Sequence, residues 1–437
     1  MSDTSRIYTQ LEDIAKEAKR KGATDTRVIL KQADSLSAEI LNGRPVELDK
    51  TENAAIQLDV FLGKKQATTI IQSMRAENIS TAIDSAIASA KLSSENPFAG
   101  LAEKSLLTTT WSDPDIYDAS VPTVEELFEM AKETEAAGMQ EKRVKQSDGA
   151  SAGREKSHLF LLQSNGFHGD YERSTSYISS VVIAESNGRM ERAGNSDAAI
   201  YTADLQDTSE IGMEAAKRAL QKLDARKVKS GQYPVVFDKR IASRLVAEFA
   251  QAVSGNAVAK GMTFLKDAFG KQVLPKGMNI VDDPTIKRGL GSRPFNTEGL
   301  TSTRKFLVED GKLVRWLVDL KSARQLGLDI RDHIAGTSNL FIENGADTPE
   351  DLMSDIKEGF LVTGLMGHGG DTLTGNFSFG ASGLWIQNGK PTFAVSEVTI
   401  SGDMKDMFVN MTAANDMDMK KPSAPTMRIE GMTIGGN

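Results

Sequence analysis

The N-terminal part of the chain alternates between the apolar spacing of a helix and that of a strand. Apolar residues recur every three or four positions over 7–18, and Gly22 follows, which predicts an amphipathic helix ending near this glycine. A second helical pattern covers 79–90. Strand-like segments lie between the two helices, at 26–33, 37–43, 54–63 and 67–74. Together these elements predict an α+β domain over residues 1–105.

A second α+β domain is predicted over residues 113–225. Its first helix begins at Thr123, because Thr123 and Glu126 have the spacing of a capping box, which satisfies free backbone N–H groups. A further helical pattern covers 207–223. Two dipeptides predict tight hairpins, since asparagine and glycine adopt positive φ at low cost: Asn165-Gly166 and Asn187-Gly188.

The third predicted domain is β-rich and covers residues 233–437. A short apolar strand opens it, an amphipathic helix follows at 239–254, and glycine-punctuated strands come after. Thr348 and Pro349 begin another helix, because threonine caps the N-terminus and proline needs no N–H donor there. We therefore expect a multidomain α+β fold with mixed or antiparallel sheets, helices in the N-terminal region and a β-rich C-terminal domain.

Composition narrows the classes of function. The chain has 437 residues and a formal net charge of −8, with no block of basic residues, which disfavours direct binding of nucleic acid. It has no cysteine, so disulfides, thiolate ligands and cysteine nucleophiles are excluded. No stretch approaches the length of a membrane span, and the N-terminus lacks the apolar core of a signal peptide. We expect a cytoplasmic protein without membrane contact.

Motifs for catalysis by serine or by metal are weak. Gly149-Ala150-Ser151-Ala152-Gly153 matches G-x-S-x-G, but polar flanks replace the strand and helix that a nucleophile elbow needs, which favours a turn. No histidines lie four residues apart in the sequence, although a non-local metal site with carboxylates stays open. The residues that such a site would draw on are His158, His168, His333 and His368, with Asp282, Asp283, Asp416 and Asp418.

Two glycine-containing segments supply candidate substrate contacts. The segment 289–294 begins like a dinucleotide fingerprint, but proline replaces the third glycine, which favours a tight loop. Arg293 in this loop is a candidate ligand for a peptide or its carboxylate. The segment 367–370 has the composition of an oxyanion loop without an accompanying nucleophile, and its His368 is the second candidate.

The C-terminal domain resembles the TldD/PmbA family. The two earlier domains resemble the family's first domains less closely, so the resemblance covers almost the whole chain. The strings that carry it occur in the family's order: PVVFDKRIASRLVAEFAQAVSGNAVAKGMTFL, DDPTIKRGLGSRPFNTEGL, VEDGKLVRWLVDLKSARQLG, TGNFSFGASGLWIQNG and VSEVTISGDMKDM.

The resemblance also implies which chemistry this chain lacks. In the TldD branch, a helix with H-E-x-x-x-H and a late cysteine bind zinc. The matching positions here are Ala247, Glu248 and Ala252, and there is no cysteine. The resemblance thus implies no metal ligand and no catalytic residue in this chain, because Glu248 has no metal-bound water to activate. This pattern is similar to the PmbA (TldE) branch, whose members act beside a TldD partner.

The implied function is that of a non-catalytic subunit in a TldD/TldE-type metalloprotease complex. Such complexes cleave unfolded or short peptides, with roles in peptide maturation and antitoxin turnover, and the zinc is expected in the TldD-type partner. An older label of the family is modulator of DNA gyrase, which the acidic composition does not support directly. The alternatives are a stand-alone peptide-binding or scaffold protein, and an independent hydrolase that uses Ser151.

The family forms dimers, so we expect a homodimer when the partner is absent. Three methionines, at the spacing of one helical face, predict a helix that faces the core: Met404, Met407 and Met411. An apolar contact within the homodimer is the alternative use of these side chains.

Overall fold

The N-terminal half forms one six-stranded antiparallel sheet with helices against it. The computed structural model describes residues 3–120, 122–367 and 369–436. The elements of this half are α1 (Asp3–Arg20), β1 (Asp25–Leu41), β2 (Arg44–Leu62), β3 (Lys65–Ile71), α2 (Ala76–Leu92), α3 (Val124–Gly138), β4 (Val144–Gln163), β5 (His168–Ser186), β6 (Arg189–Ala199) and α4 (Thr208–Lys222). The strand order is β3-β2-β1-β4-β5-β6.

This sheet contains strands from both predicted N-terminal domains. β1 pairs with β4 in a continuous register from Arg27 opposite Gln163 to Ile40 opposite Ala150. The boundary between the two domains stays a prediction, and it falls beside residues 107–120, which form neither helix nor strand. The two sets of helices therefore stand on a shared sheet.

The length of β1 corrects one expectation. The sequence predicted two strands here, whereas the structure has a single strand of 17 residues. Val28 and Leu30 pack in the core that includes α1 and α2, and Leu36 packs in the core that includes α3. Gln32 and Asp34 lie between these two cores and border a polar cleft. The polar middle of the strand thus reflects a gap between two layers of helices and not a loop.

The local signals at chain reversals and helix starts are confirmed. The Thr123 side chain accepts a hydrogen bond from the Glu126 N–H, and the Glu126 carboxylate accepts one from the Thr123 N–H, so α3 begins with a capping box. Asn187 and Gly188 have φ of 52° and 76° in the turn between β5 and β6. Gly166 has φ of 107° between β4 and β5.

The C-terminal half is rich in strands, as the sequence predicts. Its elements are β7 (Gly231–Phe237), α5 (Lys239–Ala252), α6 (Gly255–Ala259), β8 (Ile280–Asp282), β9 (Lys305–Glu309), β10 (Lys312–Leu313), β11 (Leu317–Val318), α7 (Leu320–Leu326), β12 (Ile334–Ala335), β13 (Leu340–Ile342), α8 (Pro349–Met353), β14 (Glu358–Met366), β15 (Asn376–Gln387), β16 (Lys390–Asp403), α9 (Met404–Val409), β17 (Met411–Ala413) and β18 (Met427–Gly435).

The main sheet of this half is mixed and closes on itself. Its order is β16-β15-β14-β7-β18-β17, and an additional pairing of β16 with β18 completes a barrel. β14 and β7 are parallel, whereas the other neighbours are antiparallel. A smaller sheet has the order β10-β9-β8-β13. The multidomain α+β class with mixed and antiparallel sheets is confirmed.

The methionine pattern belongs to the core of the barrel. Met404 and Met407 lie on α9, Met411 lies on β17, and their side chains are 0%, 3% and 2% exposed. The expectation of a core-facing helix is confirmed for the first two. The alternative, an apolar contact in a homodimer, is wrong because these side chains have no surface to offer. Among the described helices, none is long and apolar enough to cross a membrane.

Candidate functional site

Helix α5 carries the positions that correspond to the family's zinc motif. The side chain of Asp238 caps this helix by accepting a hydrogen bond from the Arg240 N–H at 3.1 Å. Ala247 is exposed, whereas Ala252 is fully buried in the core. Five residues along an α-helix turn the side chain by about 140°, so the two methyl groups face different surroundings. Neither has a lone pair for a metal.

Glu248, the remaining position of the motif, is held by an arginine one turn earlier. Its side chain is only 2% exposed, and its Oε1 accepts a hydrogen bond from Arg244 Nε at 2.7 Å. Arg244 Nη2 lies 2.5 Å from the same oxygen. The guanidinium carbon of Arg244 also lies 5.1 Å from the centre of the Phe379 ring. This carboxylate is therefore engaged in an ion pair with an arginine that is itself 42% exposed.

The other carboxylate oxygen of Glu248 faces Gly370. Within the described part of the chain, Oε2 has no hydrogen-bond partner. A Cβ at position 370 would lie 2.1 Å from this oxygen, and Gly370 itself bridges to Phe377. Leaving a buried polar atom unpaired costs about 1–3 kcal/mol, and more when it is charged. Glu248 is thus buried against the backbone of Gly370.

The donor atoms near α5 do not fit zinc. Tetrahedral zinc needs nitrogen, sulfur or oxygen ligands, and among the positions of the family's zinc motif only Glu248 has such a donor in this chain. Over residues 3–120, 122–367 and 369–436, no group of three His, Cys, Asp or Glu side chains is arranged to hold a metal ion. No step of chemistry through a metal follows from these residues.

Two candidate histidines, His158 and His333, have hydrogen-bond partners, and the ring of His168 lies edge-on to that of Tyr8 at a centroid distance of 5.8 Å. His158 Nε2 lies 2.7 Å from Asp170 Oδ2, and its ring stacks on Phe160 at a centroid distance of 3.9 Å. The His333 Nδ1 accepts a hydrogen bond from the Trp316 N–H at 3.0 Å. The candidate His368 lies outside the described residues.

The carboxylate pairs that the sequence singled out tie backbone segments together. Asp282 accepts hydrogen bonds from the N–H and hydroxyl of Ser338, at 2.6 and 2.9 Å. Asp416 accepts hydrogen bonds from the N–H and hydroxyl of Thr426, at 2.8 and 2.9 Å. Both therefore act as local structural acceptors.

Ser151 is neither on a nucleophile elbow nor in a turn. It lies inside β4, opposite Ser179 of β5, and the two hydroxyl oxygens are 2.9 Å apart. The expected turn at Ser151 is wrong because Ser151 and Gly153 are both paired with β5, whereas Gly149, with φ of 103°, lies at a bulge just before them. A strand interior cannot present the serine on a strained strand-to-helix turn, so the hydrolase alternative loses its geometric basis.

Arg293 lies beside a cavity of about 260 Å³. The loop prediction for 289–294 is confirmed, and the Ser292 hydroxyl donates to the Ile286 carbonyl within it. Arg293 Nη2 donates a hydrogen bond to the Gly336 carbonyl at 2.7 Å. Three further charged side chains line the same cavity: Asp282, Lys305 and Arg331.

Burial shapes the electrostatics of this cavity. It lowers the pKa of Arg293 and of Lys305, because the charged forms lose water, and it raises the pKa of Asp282 for the same reason. The Lys305 ammonium donates hydrogen bonds to the carbonyls of Arg331 and His333, both at 2.6 Å. The sequence identified Arg293 but missed Lys305, whose approach depends on the fold.

One missed contact near α5 had a visible signal. Arg244 and Glu248 stand four residues apart, which places them on the same face of a helix, so their ion pair follows from the spacing. The approach of Gly370 has no such signal, because it comes from the barrel's tertiary structure.

Comparisons with known proteins agree with this architecture. Residues 230–436 match the model of the PmbA/TldA metallopeptidase C-terminal domain, and residues 117–223 match that of the central domain. The chain is 30% identical to "Metalloprotease PmbA" from Escherichia coli O157:H7, over 95% of this chain and 93% of that protein.

Two solved structures are similar along essentially the full length. A putative modulator of DNA gyrase from Bacteroides thetaiotaomicron has a TM-score of 0.92 at 25% identity, with 100% of both chains covered. TldE from Thermococcus kodakarensis has a TM-score of 0.83 at 19% identity, over 98% of this chain and 100% of that chain, a likeness that shows the fold alone.

Proposed function

This chain belongs to the PmbA/TldD metallopeptidase family, and we propose that it is the non-catalytic subunit of a TldD/TldE-type complex. In this proposal a TldD-type partner holds the zinc, and the complex cleaves unfolded or short peptides in the cytoplasm. The observation that carries the proposal is the pair of alanines, Ala247 and Ala252, at the family's ligand positions in a chain without cysteine.

The chemistry of the missing metal supports the non-catalytic role. Zinc lowers the pKa of bound water to about 7, which generates a nucleophile at neutral pH. Without zinc, Glu248 could act only on ordinary water, and its carboxylate is already paired with Arg244 and enclosed by Gly370. A glutamate in this state suits a structural role.

The relative from E. coli is named a metalloprotease, which suggests the alternative that this chain itself binds zinc. Elemental analysis of the purified chain distinguishes a zinc-free chain from a zinc-binding one. We expect far less than one zinc per chain after mild chelation. A stoichiometric, chelation-resistant zinc would overturn the proposed non-catalytic role.

The partner is tested by capture from native lysate of the source organism. The tagged chain is expected to retain a TldD-type protein, identified by mass spectrometry, and to form a homodimer by light scattering when alone. A chain that captures peptides but no family partner would instead support the stand-alone peptide-binding or scaffold function.

A further inference from the structure

We propose that the cavity beside Arg293 binds a carboxylate carried by an amino-acid-sized group, the C-terminal residue of a peptide. The choice of a peptide rests on the proposed function, whereas the choice of a carboxylate rests on the charges and donors that line the cavity. The volume of about 260 Å³ is slightly below the roughly 300–1,000 Å³ of pockets for drug-sized ligands, which suits one residue.

The net charge of the lining favours a singly charged anion. Arg331 is paired with Asp329 at 2.5 Å, which leaves Arg293 and Lys305 against Asp282. Two cations and one carboxylate leave a single positive charge to be balanced. Asp282 would repel the second charge of a phosphate dianion, so a carboxylate matches the cavity better.

Arg293 and Lys305 keep donors that the protein does not use. Of the five N–H groups of the Arg293 guanidinium, the Nη2 group donates to Gly336, and Nε has no hydrogen-bond partner within the described residues. Lys305 gives two of its three donors to backbone carbonyls. Charge-assisted hydrogen bonds from such donors to a carboxylate are stronger than neutral ones.

Hydroxyl groups complete the polar lining. Across the ranges that the structure describes, none of these hydroxyls has a hydrogen-bond partner in the protein. The residues are Ser105, Thr301, Ser302 and Thr303. These hydroxyls are exposed or half-buried, so an anion in the cavity would accept hydrogen bonds from them in place of water.

Calorimetric titration of the isolated chain tests this site. The probes are acetyl-Ala-Ala-Ala with a free C-terminus, the same peptide with a C-terminal amide, and inorganic phosphate at matched ionic strength. We expect the free acid to bind about tenfold or more tightly than the amide, because only the acid offers charge-assisted acceptors. Equal affinities of acid and amide, or tighter binding of phosphate than of the acid, would overturn the inference.

Variants locate the binding in the cavity. Arg293→Gln is expected to lower the affinity for the free acid about tenfold. Thr303→Val changes an exposed position and leaves every charge in place, so it is expected to lower this affinity about two- to fivefold. Arg218→Gln is the control, because Arg218 is a partly buried arginine of α4 outside the cavity. If Arg293→Gln fails to fold, the Thr303→Val variant and the comparison of acid with amide still show whether the carboxylate binds in this cavity. Unchanged affinity in the folded cavity variants refutes the site.

This inference and the proposed function fail in different ways. The titration needs no partner, so a chain that binds the free acid but captures no TldD-type protein keeps the site and loses the subunit role. A chain that captures the partner but does not distinguish acid from amide keeps the subunit role and loses the site.

Discussion

Replacing Arg244 with methionine removes the ion-pair partner of a buried carboxylate. Glu248 is 2% exposed, and its Oε1 is bonded to Arg244, while Oε2 has no partner in the described part of the chain. Methionine keeps the apolar stem of the arginine but removes the guanidinium, and with it the contact between the guanidinium and the Phe379 ring. A double-mutant cycle with Glu248 is therefore needed to separate the ion pair from this ring contact.

The expected cost follows from the unequal burial of the two partners. Removing one partner of a fully buried ion pair costs about 3–5 kcal/mol. Arg244 is 42% exposed, so water screens the pair from one side, and we expect about 2–3 kcal/mol for Arg244→Met. Glu248→Gln leaves an arginine that water can solvate, so we expect it to lower the free energy of unfolding by about 1 kcal/mol. The double variant, with both Arg244→Met and Glu248→Gln, should lower it by no more than about 1–2 kcal/mol.

Thermal unfolding followed by circular dichroism measures these costs. At about 2–4 °C per kcal/mol for a domain of about 150–250 residues, Arg244→Met should lower Tm by roughly 4–12 °C. Lys16→Met is a matched control, because Lys16 pairs with Glu12 at the same spacing on an exposed helix face, and its Tm should not change measurably.

The double-mutant cycle decides the interpretation. A coupling of about 1–3 kcal/mol between Arg244 and Glu248 is expected for two residues in direct contact. Additive single effects, or an Arg244→Met Tm equal to that of the unaltered chain, would show that Glu248 is not held in the way described here.

Three further outcomes follow from the same structure. Gly370→Ala should lower the free energy of unfolding by about 2 kcal/mol or more, because the added Cβ meets the Glu248 carboxylate. The loss should be smaller in a Glu248→Ala background, and equal losses in both backgrounds would contradict this contact. Burial lowers the pKa of His333, so stability should be complete above its ordinary value of 6.5 and be lost as the pH falls through that value, and His333→Gln should flatten this dependence of Tm on pH. Met404→Ala should cost about 2–5 kcal/mol in chemical unfolding, since Met404 is fully buried, and a loss below about 1 kcal/mol would place it outside the core.

The sequence predicted an element correctly where one interaction between neighbouring residues determines where a helix begins or where a strand turns. The capping box at Thr123 and the Asn187-Gly188 hairpin each depend on residues that are close in sequence, and both are confirmed. β1 was divided wrongly because a polar stretch inside one strand looks like a loop. The gap between two helical layers that explains Gln32 and Asp34 is a tertiary feature without local trace.

The candidate site shows the same division. The positions Ala247, Glu248 and Ala252 came from the family resemblance, and Arg244 could have been added from helical spacing. The enclosure of Glu248 by Gly370, and the convergence of Lys305 and Arg293 on one cavity, required the folded barrel and its loops. Contacts between residues that are far apart in the chain leave no periodic pattern from which the sequence could predict them.

The most direct test of the non-catalytic role is a peptidase assay on the chain alone and on its mixture with a TldD-type protein. We predict no cleavage by the chain alone and cleavage by the mixture. Glu248→Gln should leave the activity of the mixture within about a few-fold, because Glu248 has no metal-bound water to activate. The corresponding glutamate of the partner subunit should be indispensable. If Glu248→Gln abolished cleavage while the partner's glutamate could be replaced freely, the active site would lie in this chain and the assignment as the non-catalytic subunit would be wrong.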